Sequence, residues 1–266
     1  MQIFEEDLFM CTQAVKKVND SWYLMKTRDP VSWMRYEDEI TLFDSPADKY
    51  RKLVIQNSVP YEDGYYGGIN DQGVAFISTF VRTSEDQISY IRKPYIRLIL
   101  DAANAKEAIE IVQSFNPKIG GNMFVADPTT CYGIEGTAKE YFVEEIKESA
   151  VKANHFCSLP SRNINFDNDP EFEQWSKTHE ARATELVGGI KNLEDCETLL
   201  SDRKNSEAKR AICTTPDEAK VYTYSAFVFD TKNKLVRYAQ GCPSVVGFKE
   251  YSFSKPPKKE DNKQID

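Results

Sequence analysis

Met10-Cys11-Thr12 and Lys26-Thr27-Arg28-Asp29, joined by Gln13 to Met25, form the stretch from which the rest of the chain is read. Gln13 to Met25 predicts a hairpin: a first strand, a turn at Asn19-Asp20-Ser21, and a return strand Trp22-Tyr23-Leu24-Met25. Asn, Asp and Ser suit that turn because short polar side chains bond their own backbone and tolerate left-handed angles. The return strand carries Lys26 to Asp29 back beside Cys11. A cysteine at a strand start, faced by a cation and a carboxylate from the paired strand, is a candidate nucleophile. The competing reading of Cys11 is a small buried apolar residue.

Composition narrows the setting. A chain of 266 residues can bury a large single core, so one domain is expected. An apolar fraction of 41% with 12% aromatics is ordinary for a globular protein. No apolar run approaches the roughly eighteen residues a membrane helix needs, and the acidic start lacks the pattern of a signal peptide. The net charge of -8 disfavours nucleic acid as a partner. Six cysteines, none in a Cys-x-x-Cys pair, read as reduced thiols of a cytoplasmic protein. Zinc-ligand spacing is absent from the sequence, and no metal or other cofactor is expected. Only His155 and His179 are available to any mechanism that needs an imidazole.

Along the chain, Pro46 to Gln56 reads as a short helical piece within irregular sequence. Pro60 to Gly68 reads as a Gly/Tyr-rich loop, Ile69 to Gly73 as a tight turn, and Val74 to Val81 as a buried strand. Tyr95 to Ala103 looks helical. Asn104 is an N-cap for Ala105 to Phe115, with Glu107 in the capping-box position. A hairpin follows, Asn122 to Asp127 and Cys131 to Glu135, then a strand Glu140 to Ile146. Phe172 to Val187 and Glu194 to Leu200 are expected helices, and strands Lys220 to Asp230 and Lys234 to Gln240 close the domain. Residues 254–266, without periodicity, read as a disordered tail. The order of elements predicts an α+β chain built from antiparallel hairpins, with no βαβ alternation.

Several pieces also line up, in order, with one family. Cys11-Thr12, Lys26-Thr27-Arg28-Asp29, Gly68-Ile69-Asn70-Asp71-Gln72-Gly73-Val74, the hairpin from Asn122 to Glu135, Asn154-His155-Phe156 and Gly241-Cys242-Pro243 carry the match. On these the chain resembles the linear-amide N-terminal-nucleophile hydrolases. That family includes choloylglycine hydrolases, penicillin V acylases and the acyltransferase that exchanges side chains on the penicillin nucleus. Lys26 stands where the family has Arg or Gln, and Thr27 where it has Asn, which bears on substrate contacts more than on the chemistry.

The resemblance implies a four-layer αββα sandwich over residues 11–253, with residues 1–10 a leader to be removed or a mis-assigned start. It implies a hydrolase or acyltransferase cleaving a linear carbon–nitrogen amide bond through a Cys11 thioester. Once Cys11 is the first residue, its own α-amine, titrating near 8, supplies the base. Asp29 would hold that amine, although a turn residue before Pro30 is the other reading. Asn154 would aim its amide at the oxyanion, or act as a turn or cap residue. Lys26, Asn70, Arg182, Tyr65 and Tyr66 are candidate substrate contacts, with Tyr61 beside the last two. For Asn70 the alternative is a turn residue, for Arg182 a solvated helix charge, for Lys26 an exposed strand end. The expected partner is a small-molecule acyl amide, with self-association left open. Two alternatives stand beside this reading: a non-catalytic binding protein on the same fold, and a dipeptidase of the same superfamily.

Overall fold

Asn19 adopts a left-handed φ of 52°, and the chain turns back on itself there. The computed structural model describes residues 11–30, 38–57, 65–81, 83, 97–116, 118, 120–160, 163, 170–204, 211–217 and 221–258. The expected leader at 1–10, Tyr61 and the end of the tail lie outside these residues. Strands β1 (Gln13–Val18) and β2 (Ser21–Arg28) pair antiparallel with Gln13 opposite Lys26, which is the predicted hairpin.

Seven strands then run as one meander: β3 (Asp38–Phe43), β4 (Lys52–Asn57), β5 (Tyr65–Asn70), β6 (Ala75–Thr79), β7 (Gly121–Ala126), β8 (Cys131–Gly136) and β9 (Tyr141–Ile146). The other sheet is assembled from distant parts of the chain. Its order is β10 (Ser149–Lys152), β1, β2, β11 (Ser225–Asp230), β12 (Leu235–Gln240) and β13 (Lys249–Ser252). Every pairing in both sheets is antiparallel.

Strand periodicity decides what lies between the sheets. Trp22 and Leu24 of β2, Phe227 and Phe229 of β11, Ile69 of β5 and Phe124 of β7 join one buried cluster between the two sheets. Full burial of such a side chain stabilises the fold by roughly 2 kcal/mol. The opposite face of the seven-stranded sheet buries Phe76, Val125 and Ile134 against helix α1 (Ala105–Ser114). The outer face of the six-stranded sheet buries Met25, Ala226 and Val228 against helices α2 (Pro170–Val187) and α3 (Leu193–Leu200). The architecture is therefore the α+β, four-layer αββα sandwich. A short helix α4 (Pro243–Val246) follows β12. Asn104 caps α1 by accepting from Glu107 N, while Glu107 reaches back to Ala103 N.

Two local readings are corrected. Residues 52–56, the end of the stretch from Pro46 to Gln56 expected to be helical, lie in β4, where Lys52 is buried by pairing with Asp48 at 2.7 Å and Asp101 at 2.6 Å. Residues 65–68, expected in a loop, belong to β5. Gly67 leaves room there for the Phe227 and Phe229 rings, which would lie 2.9 and 3.0 Å from an added Cβ. The β5–β6 turn needs glycine at Gly73. Its φ is +89°, and a Cβ would sit 2.4 Å from the Thr231 carbonyl oxygen in the turn between β11 and β12.

Candidate active site

The interior between the sheets becomes polar at the end of β2. Lys26 and Arg28 share the face of Trp22 and Leu24 by the two-residue period, so both point between the sheets and are buried. Lys26 Nζ donates to Cys11 Sγ at 3.4 Å and to the Thr27 carbonyl at 3.1 Å. Cys11 is itself buried, at 6% exposure, so this cation faces the thiol away from bulk water. Arg28 pairs with Asp38 at 3.1 Å, donates to Tyr66 Oη at 2.8 Å and stacks 4.1 Å from its ring. Burial works against the Arg28 charge, but Asp38, Tyr66 and Cys11 more than offset it, and the guanidinium stays protonated.

Thr27 points to the other face. Its hydroxyl accepts from Thr12 N at 3.1 Å and donates to Asp29 Oδ2 at 3.4 Å. Burial pushes the Asp29 carboxyl up to about 7, against the pull of the Thr223 hydroxyl, Lys26 and Thr27. Asp29 Oδ1 accepts no well-formed hydrogen bond among the described residues. On the same side Thr12 Oγ1 lies 3.0 Å from His179 Nδ1. Burial presses His179 down to about 4, so its ring is neutral at pH 7.

Asn154 reaches the group from the segment after β10. Its Oδ1 accepts from Cys11 N at 2.8 Å, and its Nδ2 donates to Phe80 O at 2.8 Å and Thr79 Oγ1 at 3.2 Å. The partners fix that amide's orientation, because a backbone N–H only donates and a carbonyl only accepts. Asn154 therefore holds the nitrogen of Cys11, and both amide hydrogens are already used. The segment around it is tied down along its length. Asn122 donates to Ala153 O and His155 O at 2.9 and 2.8 Å. Ser176 accepts from Asn154 N at 2.9 Å, and the buried Glu135 accepts from the amides of Cys157, Ser158 and Leu159.

Cys11, Lys26, Asp29 and Asn154 thus come together, and Tyr66 joins them through Arg28. The remaining candidates fall elsewhere. Tyr65, one residue from Tyr66, faces the helix side of its sheet and packs edge-on against Phe43. Asn70 is spent on its own turn: its amide donates to Leu100 O and Ala102 O, and its oxygen accepts from Gln72 N and Val74 N. Arg182 pairs with Asp202 and Glu185 on α2. Arg28, Asp38, Ser176 and His179 went unread as site residues. Arg28 follows from Lys26 by alternation, and Ser176 and His179 lie on the buried stripe Phe172, Trp175, Ser176, His179, Ala183 of α2.

Two antiparallel sheets between helical layers, with a cysteine leading into the first strand, define the class of the N-terminal-nucleophile hydrolases. Within that class the chain belongs to the acyl-coenzyme A:6-aminopenicillanic acid acyl-transferase family, which it matches over residues 15–244, a span beginning downstream of Cys11. Solved structures of the same fold include penicillin V acylase from Agrobacterium tumefaciens, at 14% identity and a TM-score of 0.50, covering 86% of this chain and 83% of the acylase. A mutant of the conjugated bile acid hydrolase from Clostridium perfringens matches at 11% identity and a TM-score of 0.53, covering 96% and 95%. At such identities the likeness is one of fold. No curated protein matches the chain by sequence. Membership of that family makes it an enzyme of the acyl-transferase type. No helix among the described residues is long and apolar enough to cross a membrane.

Proposed function

We propose that the protein cleaves a linear amide through a thioester on Cys11, after the bond between Met10 and Cys11 has been broken. The observation that carries this reading is the clamp on Cys11: Lys26 Nζ at 3.4 Å from its sulfur and Asn154 Oδ1 at 2.8 Å from its nitrogen. With residues 1–10 attached, that nitrogen is an amide and has no lone pair to take a proton. Attack of Cys11 Sγ on the Met10 carbonyl would move the acyl group from nitrogen to sulfur and free the α-amine. Water then releases residues 1–10 as a carboxylate.

In the matured site the α-amine takes the thiol proton and the thiolate attacks the substrate carbonyl. The proton passes to the leaving amine, and a thioester remains. Hydrolysis of that thioester completes an amidase cycle, and attack by a second amine completes an acyl transfer. Lys26 stabilises the thiolate and Asp29 holds the α-amine. The substrate is a small acyl amide. Arg28 and Tyr66, which close one side of the cluster, are the nearest candidates for contact with it.

Intact mass of the freshly purified protein, beside the Cys11→Ala variant, tests the reading together with hydrolysis of simple acyl amides. The expected result is loss of residues 1–10 in the wild type alone and turnover only with Cys11. A chain begun at Met10, from which ordinary methionine removal exposes Cys11, should be active without self-cleavage. Turnover retained in Cys11→Ala would overturn the proposal.

A further inference from the structure

We propose that His155, Cys157 and Glu180 form a zinc(II) site beside Ser176, whose hydroxyl meets both His155 Nδ1 and Asn154 N. Cys157 Sγ lies 3.2 Å from Glu180 Oε1 and 3.7 Å from His155 Nε2, and His155 Nε2 lies 3.1 Å from Glu180 Oε2. All three ligand atoms fall within 4.8 Å of one another. Tetrahedral zinc with ordinary bond lengths holds sulfur, nitrogen and oxygen ligands about 3.3–3.6 Å apart. The observed triangle is already near that size. A small rotation of the carboxylate, which now offers one oxygen to each partner, would complete it.

The arrangement argues against the other use of such a trio, a second nucleophile. In a Cys-His-acid relay the acid orients the ring from the nitrogen opposite the thiol. Here the carboxylate and the thiol meet the same nitrogen, Nε2, while Nδ1 is 2.8 Å from Ser176 Oγ. Convergence on one point is a coordination geometry. The Nδ1 contact is what a ligating histidine needs: it fixes the ring and can leave the Nε2 lone pair free for metal.

The other ligands are also held. Glu135 fixes the backbone at Cys157 through that residue's amide at 3.0 Å, and Glu180 stands on the long helix α2. Charge is balanced as well. Zinc with one thiolate and one carboxylate is neutral, and the neighbouring cation Lys152 is paired with Glu135 at 3.0 Å and Glu144 at 3.4 Å. A mixed thiolate, imidazole and carboxylate set favours zinc over calcium or magnesium, which take oxygen ligands. Cys157 is exposed, so a fourth position opens to water. Cys157 follows His155 by 2 residues but precedes Glu180 by 23, which is why no spacing motif announces the set. Ser176 Oγ also accepts from Asn154 N, so the metal would stand two hydrogen bonds from the residue that clamps Cys11.

The test is metal binding by the full chain, read without any assay of turnover. Cobalt(II) serves as the spectroscopic probe in the presence of a non-chelating reductant, followed by displacement with zinc(II). The expected result is a single equivalent of tetrahedral cobalt with a thiolate charge-transfer band that zinc abolishes. The band should be lost in Cys157→Ser and kept in Cys11→Ala and Cys213→Ser. Glu180→Gln, which preserves the helix surface, should weaken zinc binding at least about tenfold. Absence of the band in wild type, or its persistence in a folded Cys157→Ser chain, would overturn the proposal.

Discussion

Asp29 gives the site a pH signature that can be measured without knowing the substrate. The perturbation is Asp29→Asn, made in a Cys11→Ala background so that residues 1–10 stay attached in both proteins. Burial raises the Asp29 carboxyl from 3.8 to about 7 in the folded chain. The folded state therefore keeps a proton between about pH 4 and pH 7 that the unfolded chain has released, and stability falls as pH rises through that window. Each pH unit costs about 1.4 kcal/mol, and a shift of about three units amounts to roughly 4 kcal/mol. Below pH 4 the penalty is absent, and above pH 7 it is complete and constant.

Asparagine has no such penalty. Its amide adds a pH-independent offset of about 1–3 kcal/mol, because Asp29 Oδ1 has no well-formed partner and the new hydrogens gain no acceptor there. Urea unfolding of the two proteins from pH 4 to pH 8 should show the asparagine variant gaining roughly 4 kcal/mol on the aspartate. The gain should be confined to the window between pH 4 and 7. The remaining titratable groups are common to both proteins, so the difference isolates Asp29. A gap constant to within about 1 kcal/mol across the series would refute the assignment of a protonated, buried Asp29.

Three further substitutions separate chemistry from scaffold. Lys26→Met removes the cation 3.4 Å from Cys11 Sγ and should slow alkylation of Cys11 by about tenfold or more at neutral pH, while leaving exposed Cys157 unchanged; peptide mapping after iodoacetamide reads both. Asn70→Ala deletes four hydrogen bonds of the β5–β6 turn and should cost about 2–4 kcal/mol of stability, with KM unmoved once a substrate is known. A raised KM at intact stability would return Asn70 to the substrate. Gly73→Ala forces a Cβ to within 2.4 Å of Thr231 O at a φ of +89°, and a loss of about 3 kcal/mol or more is expected in thermal unfolding.

What the sequence disclosed follows how local each interaction is. The Cys11–Lys26 approach was legible because one hairpin makes it, with its turn written in Asn19, Asp20 and Ser21. The Asn104 cap was legible for the same reason. Strand β4 was hidden because one partner of Lys52, Asp48, stands at a four-residue spacing that also suits a helix, and the other, Asp101, lies 49 residues away in the chain where no local pattern reveals it. The contact from Asn154 to Cys11 spans 143 residues and was reachable only through the family resemblance. The expectation had its amide facing an oxyanion, whereas in the folded chain its oxygen accepts from the Cys11 nitrogen. Ser176 and His179 were hidden among apolar neighbours on a helix stripe that reads simply as core.

The hydrogen-bonding capacity of the Cys11 nitrogen ties these observations to the proposed maturation. In the attached chain the nitrogen has one hydrogen, and Asn154 Oδ1 takes it at 2.8 Å. A neutral α-amine has two hydrogens and a lone pair. One hydrogen can stay with Asn154, and the second needs an acceptor. Asp29 Oδ1, buried and without a well-formed bond, has acceptor capacity to spare on the same hairpin. With both hydrogens held, the lone pair remains to take the proton of the thiol. When the amine becomes a cation, it supplies the positive charge that buried Asp29 is short of, and the pH-dependent loss of stability should shrink accordingly. The feature that destabilises the unprocessed chain above pH 4 is thus the feature that would hold the base in the processed one. A chain beginning at Cys11 should show a shallower Asp29-dependent slope than the chain that keeps residues 1–10, and an equal slope would separate Asp29 from the amine.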